Sequence, residues 1–391
     1  MIGSPISAIE DEYELPLYTK RDITLVRGEG VYLYDAEDNR YLDMMSNFGV
    51  NILGHAHPGI TMAITEQAGR LTNCHQSFYN DARARFIEQL EWLLPDGLRR
   101  LSFANSGAEA VEAALKYARA ITGRSGFVST RRGYHGRTFG AMSVGGEPRN
   151  NAPFAPLIDD CALVPFNELE PARAALSGAA AIIVEPIQGE SGVRPASLDY
   201  LAGLRQACDE SGALLILDEV QTGFRTGRTF AWQHSGVVPD IMTLSKSLAN
   251  GLPIGITVVS DRLAERVPAG GHGTTFGGNP LVCAAGAATL SLAGEPGFNE
   301  RVAELGERFM ENLRALQNPS VREVRGLGLM VGVELKRNAS AVLKRMQERG
   351  VLAIPAGSTC VRFLPPLIVE EQHLEEAAET LAEALDHVQQ A

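Results

Sequence analysis

The chain has 391 residues, of which 45% are hydrophobic, and a formal net charge of −12 at pH 7. At about 150 residues per domain, this length predicts two or three domains. The acidic balance disfavours nucleic acid and anionic membranes as partners, because both need clustered basic side chains. It is compatible with a small anionic substrate, which needs only a few well-placed arginines.

The five cysteines are scattered, and no Cys-x-x-Cys pair occurs. A zinc site and a disulfide framework are therefore not expected, whereas a reducing compartment is. The amino-terminal segment is polar and acidic, and no apolar run approaches the roughly 18 residues of a membrane span. We expect a cytoplasmic protein with no membrane partner.

Residues 10–43 are typical of an arm followed by a β-hairpin, since the runs 31–34 and 40–42 flank a turn-forming sequence. From about residue 55 to 290, helical patterns alternate with short apolar runs. The predicted strands in this region are 126–129, 181–185, 214–218, 241–244 and 255–259. Such continuous apolar runs favour strands buried on both faces of a mostly parallel sheet.

Beyond residue 290 the pattern changes to that of a smaller α/β domain. The predicted elements are helices at 297–316, 340–349 and 371–388 and strands at 329–335 and near 351–354 and 361–364. The chain is therefore divided into an amino-terminal arm with part of the small domain (1–50), a large domain (51–285) and a carboxyl-terminal small domain (286–391).

Two of the predicted strands end in an acid, Glu185 and Asp218. Ligands of open α/β sheets bind at the carboxyl ends of the strands, so both acids are candidate site residues. Burying Asp218 after four apolar residues is unfavourable without a cationic partner. A helix cap or a structural ion pair is the alternative for this acid. Gln221 lies close enough along the chain to offer an amide to the same ligand.

Lys246 follows the predicted strand 241–244 in the sequence Leu-Ser-Lys-Ser-Leu-Ala-Asn-Gly. A lysine in a loop is ordinarily a surface charge. The apolar segment before Lys246 changes this expectation, because a lysine held among apolar groups loses its proton readily and becomes a nucleophile.

Two further segments suit an anionic, aromatic ligand. In Asn-Ser-Gly-Ala-Glu-Ala (105–110), Ser106 is a predicted helix cap, and the small residues Gly107 and Ala108 leave backbone N–H groups open to a phosphate. An ordinary capped helix is the alternative. In Tyr-His-Gly-Arg-Thr (134–138), Tyr134 offers an aromatic face, and Arg137 offers a guanidinium suited to a carboxylate.

Several histidines and hydroxyls are candidates for other roles. The glycine-rich loop 271–280 contains Thr274 and Thr275 and suits a phosphate or a carboxylate. His55 and His57 have no acid or thiol at ligand spacing, so a packed turn is favoured over a metal site. His135 is a candidate general base, but a lysine released from a cofactor can move the proton itself.

A lysine nucleophile, an acid, a phosphate cradle and an aromatic face are together what a pyridoxal 5′-phosphate (PLP) enzyme requires. From about residue 18 to 370, the chain resembles the class III aminotransferases of the fold-type-I PLP family. The segments that carry the resemblance are 49–58 (Gly-Val-Asn-Ile-Leu-Gly-His-Ala-His-Pro), 105–110, 134–138, 185–190 (Glu-Pro-Ile-Gln-Gly-Glu), 217–223 (Leu-Asp-Glu-Val-Gln-Thr-Gly), 244–246, 273–280 and 362–367 (Arg-Phe-Leu-Pro-Pro-Leu).

This resemblance implies an α/β fold in which a large domain with a mostly parallel seven-stranded sheet joins a smaller α/β domain. It implies that Lys246 bonds to the cofactor and carries the proton, that Asp218 pairs with the pyridine nitrogen, and that Gln221 contacts the phenolic oxygen. The other cofactor-binding residues that it implies are Ser106, Gly107, Ala108, Tyr134, Glu185 and Thr275. Thr275 would reach over from the second subunit of a homodimer with shared active sites.

For the substrate, the resemblance implies that Arg137 and Thr274 bind it and that Arg362 grips the α-carboxylate of glutamate or 2-oxoglutarate. Glu190 would pair with Arg362 when an ω-amino substrate enters. The acetylornithine aminotransferase branch, including its relative that acts on LysW-γ-L-lysine, is the most similar. The expected reaction passes the terminal amino group of an N-acylated diamino acid to 2-oxoglutarate, giving a semialdehyde and glutamate, in arginine or lysine biosynthesis.

LysW is itself an acidic carrier protein, so its docking would need a basic patch near the site. Arg131, Arg132 and Arg149 are the candidates. Two segments depart from the family pattern: 221–227 is one residue shorter than usual, and 245–251 is closer to enzymes acting on 4-aminobutyrate and ω-amines.

Other functions therefore stay open at this point. One alternative is an aminotransferase for 4-aminobutyrate, putrescine or another ω-amine, and another is a PLP mutase or decarboxylase. A nucleotide-binding α/β protein without PLP is the alternative from a different class. It is disfavoured because the nucleotide-binding fingerprints G-x-G-x-x-G and G-x-x-x-x-G-K-[ST] do not occur in the required context.

Overall fold

The computed structural model describes residues 5–146 and 151–390. Its helices are α1 Pro5–Tyr13, α2 Pro58–Ala68, α3 Asp81–Glu91, α4 Gly107–Thr122, α5 Phe139–Ser143, α6 Leu169–Ala175, α7 Leu198–Ser211, α8 Asp261–Ala264, α9 Pro280–Ala293, α10 Phe298–Ala315, α11 Ser340–Glu348 and α12 Glu371–Gln390. Its strands are β1 Leu25–Glu29, β2 Tyr32–Asp35, β3 Arg40–Asp43, β4 Arg100–Ala104, β5 Phe127–Thr130, β6 Cys161–Val164, β7 Ala181–Val184, β8 Ile187–Gln188, β9 Arg194–Pro195, β10 Leu214–Asp218, β11 Ile241–Leu244, β12 Gly255–Val259, β13 Val321–Leu327, β14 Met330–Leu335, β15 Val351–Leu352, β16 Ile354–Ala356 and β17 Cys360–Phe363.

A seven-stranded sheet with the order β4-β12-β11-β10-β7-β5-β6 forms the centre of the molecule. The pairs among β11, β10, β7, β5 and β6 are all parallel, whereas β12 runs antiparallel to both of its neighbours. The mostly parallel seven-stranded sheet expected from the sequence is therefore confirmed.

The continuous apolar runs arise because both faces of this sheet are covered. Along β10, Leu215 and Leu217 belong to one group of buried apolar side chains, whereas Leu214 and Ile216 belong to a second group. Successive residues of a strand point to opposite faces, so a strand between two helical layers is apolar at every position. This places the first polar side chain, Asp218, at the end of the strand.

Helix α4 begins and ends where its sequence predicts. The Ser106 hydroxyl accepts a hydrogen bond from the backbone N–H of Glu109 at 3.2 Å, and Gly123 ends the helix in the left-handed conformation with φ 70°. Such a cap stabilises a helix by about 1 kcal/mol. Ala110, Val111 and further residues at helical spacing form the buried face.

Most of the predicted strands are confirmed. The predicted runs 214–218, 241–244 and 255–259 coincide with β10, β11 and β12, and the amino-terminal hairpin is present as β2 and β3. The edge strands β4 and β6 were not predicted. Their side chains are only partly buried, so neither strand has the continuous apolar pattern of the central strands.

The smaller sheets join distant parts of the chain. The sheet β13-β14-β17-β16 is carboxyl-terminal, whereas β15 pairs in parallel with β3 near the amino terminus. The proposed domain boundary at residue 285 falls within α9, which packs on α2 and α3. The division at that residue therefore stays a prediction.

Within the described ranges, no single helix is long and apolar enough to cross a membrane. The bent pair α9 and α10 meets the requirement by length and composition only.

Candidate active site

A pocket of about 300 Å³ lies at the carboxyl ends of four strands of the large sheet. Asp218 ends β10, Glu185 follows β7, Tyr134 follows β5, and Lys246 follows β11. The other residues that line the pocket are Gly107, Ala108, His135, Gly136, Arg137, Ile187, Glu190, Val220, Gln221, Thr222 and Ser245. The sequence-based candidates from five separated segments thus meet in one pocket.

Lys246 is the first residue of a short 3₁₀ helix, Lys246–Ala249, and lines the pocket. Burial lowers the pKa of its amine to about 8, and the nearby charges of Glu190 and Arg362 act in opposite directions. A lysine with this pKa is partly neutral near pH 8, which is the state needed for attack on a carbonyl group.

The loop that carries Lys246 is held by the amino-terminal part of the chain. Asn250 closes the 3₁₀ turn in the left-handed conformation with φ 43°. Its Oδ1 accepts a hydrogen bond from the backbone N–H of Leu53 at 2.8 Å, and its Nδ2 donates one to the carbonyl of Gly54 at 3.0 Å. The sequence Ala-Asn-Gly after Lys246, which departs from the family pattern, therefore anchors the lysine loop.

Asp218 has the partner that its burial requires. His135 Nδ1 lies 2.7 Å from Asp218 Oδ2, while Oδ1 accepts from Val220 N at 3.1 Å and from Thr243 Oγ1 at 3.0 Å. Burial opposes the protonation of His135, but the hydrogen bond and charge of Asp218 outweigh it and raise the pKa of His135. Because the carboxylate accepts, the proton of this hydrogen bond lies on Nδ1.

The start of α4 forms a closely packed, backbone-lined wall of the pocket. A β-carbon at Gly107 would lie 2.8 Å from the Val220 side chain, and one at Gly136 would lie 2.6 Å from the β-carbon of Ala108. Larger residues at these positions would displace their neighbours. The first N–H groups of a helix carry a partial positive charge, so this wall suits a phosphate.

Glu185 is a buried carboxylate that joins two loops of the pocket. Its oxygens accept the backbone N–H groups of Tyr134 at 2.8 Å and Gly189 at 3.2 Å. Burial raises the pKa of Glu185 to about 7 against the opposing charge of His135. These contacts fix the backbone at Tyr134, whose ring lines the pocket.

Arg362, Glu190 and Gln221 form a closed set of contacts beside the pocket. Arg362 Nη1 donates to Glu190 Oε1 at 2.8 Å and to Gln221 Oε1 at 3.0 Å, and Gln221 Nε2 donates to Glu190 Oε1 at 3.3 Å. Burial disfavours the ionised form of Glu190, but the charge and the hydrogen bond of Arg362 together have the larger effect and lower the pKa of Glu190. Arg362 is fully buried, and its Nε has no hydrogen-bond partner among the described residues.

Sequence reasoning missed two residues of this site. The sequence suggests His135 only as a general base, whereas the structure places it as the partner of Asp218. Tyr18 was not considered, yet its hydroxyl accepts a hydrogen bond from Arg137 Nη1 at 2.8 Å. Tyr18 and Arg137 are 119 residues apart, so no local pattern could have linked them.

Besides Arg362, three of the predicted residues lie outside the pocket lining. Ser106 caps α4, and Thr274 Oγ1 accepts a hydrogen bond from Asn105 at 2.8 Å. Thr275 is exposed to solvent. The two threonines thus lie on a surface next to the pocket wall rather than inside the pocket of their own chain.

The shortened segment 221–227 has a distinctive backbone. Phe224 is fully buried and has φ 62°, a conformation that bulky residues rarely adopt. Arg225, which is also fully buried, donates to the carbonyl of Leu329 at 3.1 Å. This segment therefore ties the rim of the active site to the turn between β13 and β14.

His55 and His57 both have positions in a packed turn. His55 Nε2 lies 2.7 Å from Asp43 Oδ2, and His57 Nδ1 accepts the backbone N–H of Gly59 at the start of α2. Within residues 5–146 and 151–390, no group of three or more histidine, cysteine or acidic side chains could hold a metal ion.

A lysine with a lowered pKa, a hydrogen-bonded aspartate and an open helix start, all at one edge of a mostly parallel sheet, fit the site of a PLP-dependent enzyme. The family model described as aminotransferase class III matches residues 17–385. The chain therefore belongs to the class III aminotransferases.

Relatives with known names agree with this assignment. The chain is 45% identical to the [LysW]-aminoadipate semialdehyde transaminase of Deinococcus radiodurans, over 97% of this chain and 90% of the relative. It is 41% identical to the acetylornithine aminotransferase of Methanocaldococcus jannaschii, over 97% and 96%. A solved ornithine aminotransferase from Toxoplasma gondii, which has PLP at partial occupancy in its active site, superimposes with a TM-score of 0.94 at 31% identity, over 98% of this chain and 94% of that one.

Proposed function

We propose that this aminotransferase passes the terminal amino group of an N-acylated diamino acid, N-acetylornithine or LysW-γ-L-lysine, to 2-oxoglutarate with PLP as its cofactor. The observation that carries the proposal is the contact between Arg362 and Glu190 beside Lys246. The products would be a semialdehyde and glutamate, and the reaction would take place in the cytoplasm.

The pocket residues fit PLP. The start of α4 at Gly107 and Ala108, capped by Ser106, would hold the phosphate, and Tyr134 would cover one face of the ring. Glu185 would keep the Tyr134 loop in place. Asp218 would hold the proton of the pyridine nitrogen, because His135 and Thr243 keep its carboxylate oriented. When bound, PLP supplies a carbonyl group that accepts the amino group and a ring that withdraws electrons from the reacting carbon.

Lys246 would carry the reacting proton. Its amine lies among apolar and compensated charged groups, and its lowered pKa keeps part of it unprotonated near pH 8. An amine held at the pocket wall would take the proton from one face of the substrate carbon that bears the amino group, and would later return a proton from the same side of the pocket. Gln221, which bonds to Arg362 and Glu190, would orient its amide toward the cofactor oxygen.

Arg362 would select between the two substrates. A planar guanidinium binds a carboxylate through paired hydrogen bonds, so the free Arg362 would hold the α-carboxylate of glutamate or 2-oxoglutarate. An ω-amino donor has no carboxylate at that position, and Glu190 would then neutralise Arg362. Arg137 and Thr274 would bind the distal part of the substrate, with Tyr18 orienting Arg137.

A homodimer is part of this proposal. Thr275 is exposed and lies outside the pocket of its own chain, and it would contribute to the phosphate site of the other subunit. Phe78, Tyr79 and Phe276 are large apolar side chains that are exposed in the single chain. Their burial between two subunits would remove this apolar area from water.

An acidic LysW carrier would approach the rim of the pocket. Arg131 and Arg132 are exposed. The backbone carbonyl of Arg131 accepts a hydrogen bond from the side chain of Gln188, which lies two residues before the pocket residue Glu190. Arg149, the third residue predicted for this patch, lies outside the described residues. The patch would attract the carrier through charge.

The test is to measure glutamate formation from 2-oxoglutarate with N-acetylornithine, with LysW-γ-L-lysine, and with 4-aminobutyrate and putrescine as comparison donors. We expect turnover with one of the N-acylated donors that exceeds turnover with the free ω-amines. Faster turnover with 4-aminobutyrate or putrescine would reject the donor assignment. A protein whose absorbance does not change on addition of PLP would reject the cofactor assignment as well.

A further inference from the structure

A second cavity, of about 360 Å³, lies at the opposite edge of the large sheet from the active site. It is bounded by the ends of α4 and α7, by the start of β10 and by α8 and the residues after it. Leu214, the first residue of β10, lines this cavity, whereas Asp218, the last residue of β10, lines the active-site pocket. The cavity is therefore separate from the catalytic pocket.

Four guanidinium groups line this cavity, those of Arg124, Arg205, Arg262 and Arg266. Among the described residues, their carboxylate partners are Asp240 and Asp209. The buried Asp240 accepts from Arg205 at 2.9 Å and also from Arg262, and Asp209 accepts from Arg205 at 2.8 Å.

Arg124 and Arg266 have no carboxylate within 4.0 Å in the part of the chain that the structure describes. In a chain with a net charge of −12, cations outnumber anions at this position.

Arg124 and Arg266 also bind backbone carbonyls and so stabilise the fold. Arg124 donates through Nη1 to the carbonyls of Ala179 at 3.1 Å and Ser211 at 3.0 Å, and Arg266 donates through Nη2 to the carbonyl of Ile121. Ser211 and Ile121 lie in the last turns of α7 and α4, where cations offset the partial negative charge of the helix end. Since a guanidinium carries five N–H groups, these contacts leave several donors on each arginine.

One buried donor also has no partner. Arg205 uses Nη1 and Nη2 for Asp240 and Asp209, and its buried Nε has no hydrogen-bond partner among the described residues. A buried polar group without a partner is unfavourable by about 1–3 kcal/mol. The protein's own groups within residues 5–146 and 151–390 therefore do not satisfy every donor of Arg205.

We propose that this cavity binds a small molecule through an oxyanion, either a phosphate group or a carboxylate. The excess of guanidinium groups supplies the charge and the planar donor pairs that oxyanions prefer. The volume of about 360 Å³ accommodates a small metabolite rather than a macromolecular segment. Asp209 and Asp240 repel an anion, so Arg124 and Arg266, the two without a carboxylate, carry the binding.

The experiment uses the PLP-loaded enzyme, so that phosphate does not occupy the cofactor site. Thermal stability is measured as inorganic phosphate or succinate is added at constant ionic strength, for the wild type, the double variant Arg124→Gln/Arg266→Gln and the variant Arg322→Gln. Arg322 is an exposed arginine on β13, far along the chain from the cavity, and serves as the matched control.

We expect a saturable rise in the melting temperature for the wild type and Arg322→Gln, and apparent binding at least about tenfold weaker for the double variant. Because succinate can also bind at Arg362, only the part of each response that the double variant loses is assigned to the cavity, and comparing that part for phosphate and succinate tells which oxyanion the cavity prefers. No saturable response to either anion in the wild type, or an equal response in the double variant, would overturn the proposal.

A second measurement covers the possibility that the double variant does not fold. A crystal of the wild-type enzyme soaked in selenate, a tetrahedral dianion, should give an anomalous peak within hydrogen-bond distance of Arg124 or Arg266. Selenate peaks elsewhere and none in this cavity would contradict the assignment.

Discussion

The two halves of the active-site pocket are built differently. The cofactor half, formed by Lys246, Asp218, His135 and Glu185, lies at the strand ends of one sheet, where backbone pairing fixes each side chain. The substrate half depends on Arg362, which lies on β17 of a different sheet and contacts Glu190, a residue 172 positions earlier. The difference teaches that the groups proposed for the chemistry are positioned by one sheet, whereas the groups proposed for recognition depend on how two sheets pack together.

The largest effect is expected in the cofactor half. Under the proposed function, Lys246→Ala would remove both the amine that bonds to the cofactor and the group that moves the proton, so turnover should fall by about 10⁴-fold or more. Glutamate formation and the visible absorbance of the protein measure the two losses. Lys344→Ala, which removes an exposed lysine on α11, should leave both unchanged. Substantial turnover by Lys246→Ala would mean that another group carries the proton.

The substitution Asp218→Asn should reduce both half-reactions by at least about 100-fold. A neutral amide no longer stabilises a protonated ring nitrogen, and such an electrostatic loss acts on either substrate. Single-turnover rates with each substrate are the measurement.

Glu219→Gln is the matched control for Asp218→Asn. Glu219 is the adjacent buried acid, but its oxygens accept the backbone N–H groups of Ala231 and Trp232 instead of facing the pocket. A loss as large in Glu219→Gln as in Asp218→Asn would indicate a folding effect and not a chemical one.

Substitution in the substrate half should separate the two half-reactions. Arg362→Lys keeps the charge but loses the planar pair of donors, so the half-reaction with glutamate should slow by about 10- to 100-fold. The half-reaction with the ω-amino donor should change much less. Equal losses in both would show that Arg362 acts on the fold or on the cofactor half.

Glu190→Gln should impair the half-reaction with the ω-amino donor rather than the one with glutamate, and its effect should be smaller than that of Arg362→Lys. Without the carboxylate, Arg362 keeps an uncompensated charge in the pocket when the ω-amino donor binds, so KM for that donor should rise by about tenfold. The half-reaction with glutamate should be unchanged or faster. A larger loss with glutamate than with the donor would contradict the proposed pairing.

The pH dependence of cofactor attachment should show the smallest effect. Attack requires the neutral amine, and burial lowers the pKa of Lys246 to about 8. The rate at which the cofactor-free protein regains its visible absorbance with PLP should therefore rise with pH and level off above about 8, not near the ordinary lysine value of about 10.4. A rate that still increases steeply above pH 9 would show that the amine is not shifted.

Much of the cofactor half was predictable from local sequence. Leu-Leu-Ile-Leu-Asp predicts a strand buried on both faces and an acid at its end, and Ser106-Gly107 predicts a capped helix with an open backbone. These predictions work because strand burial and helix capping depend on residues within a few positions of each other. The placement of Lys246 after an apolar strand is of the same kind.

The contacts that orient these groups depend on the packing of distant segments. His135 meets Asp218 across 83 residues, and Tyr18 meets Arg137 across 119. Arg362 and Glu190 meet because the β17 sheet packs beside the carboxyl edge of the large sheet. The sequence of this protein thus defines its central strands, the cap of α4 and the type of chemistry, because these follow from short-range patterns. The partners, the pKa values and the second cavity follow from the packing, because they depend on distances between side chains that no local pattern encodes.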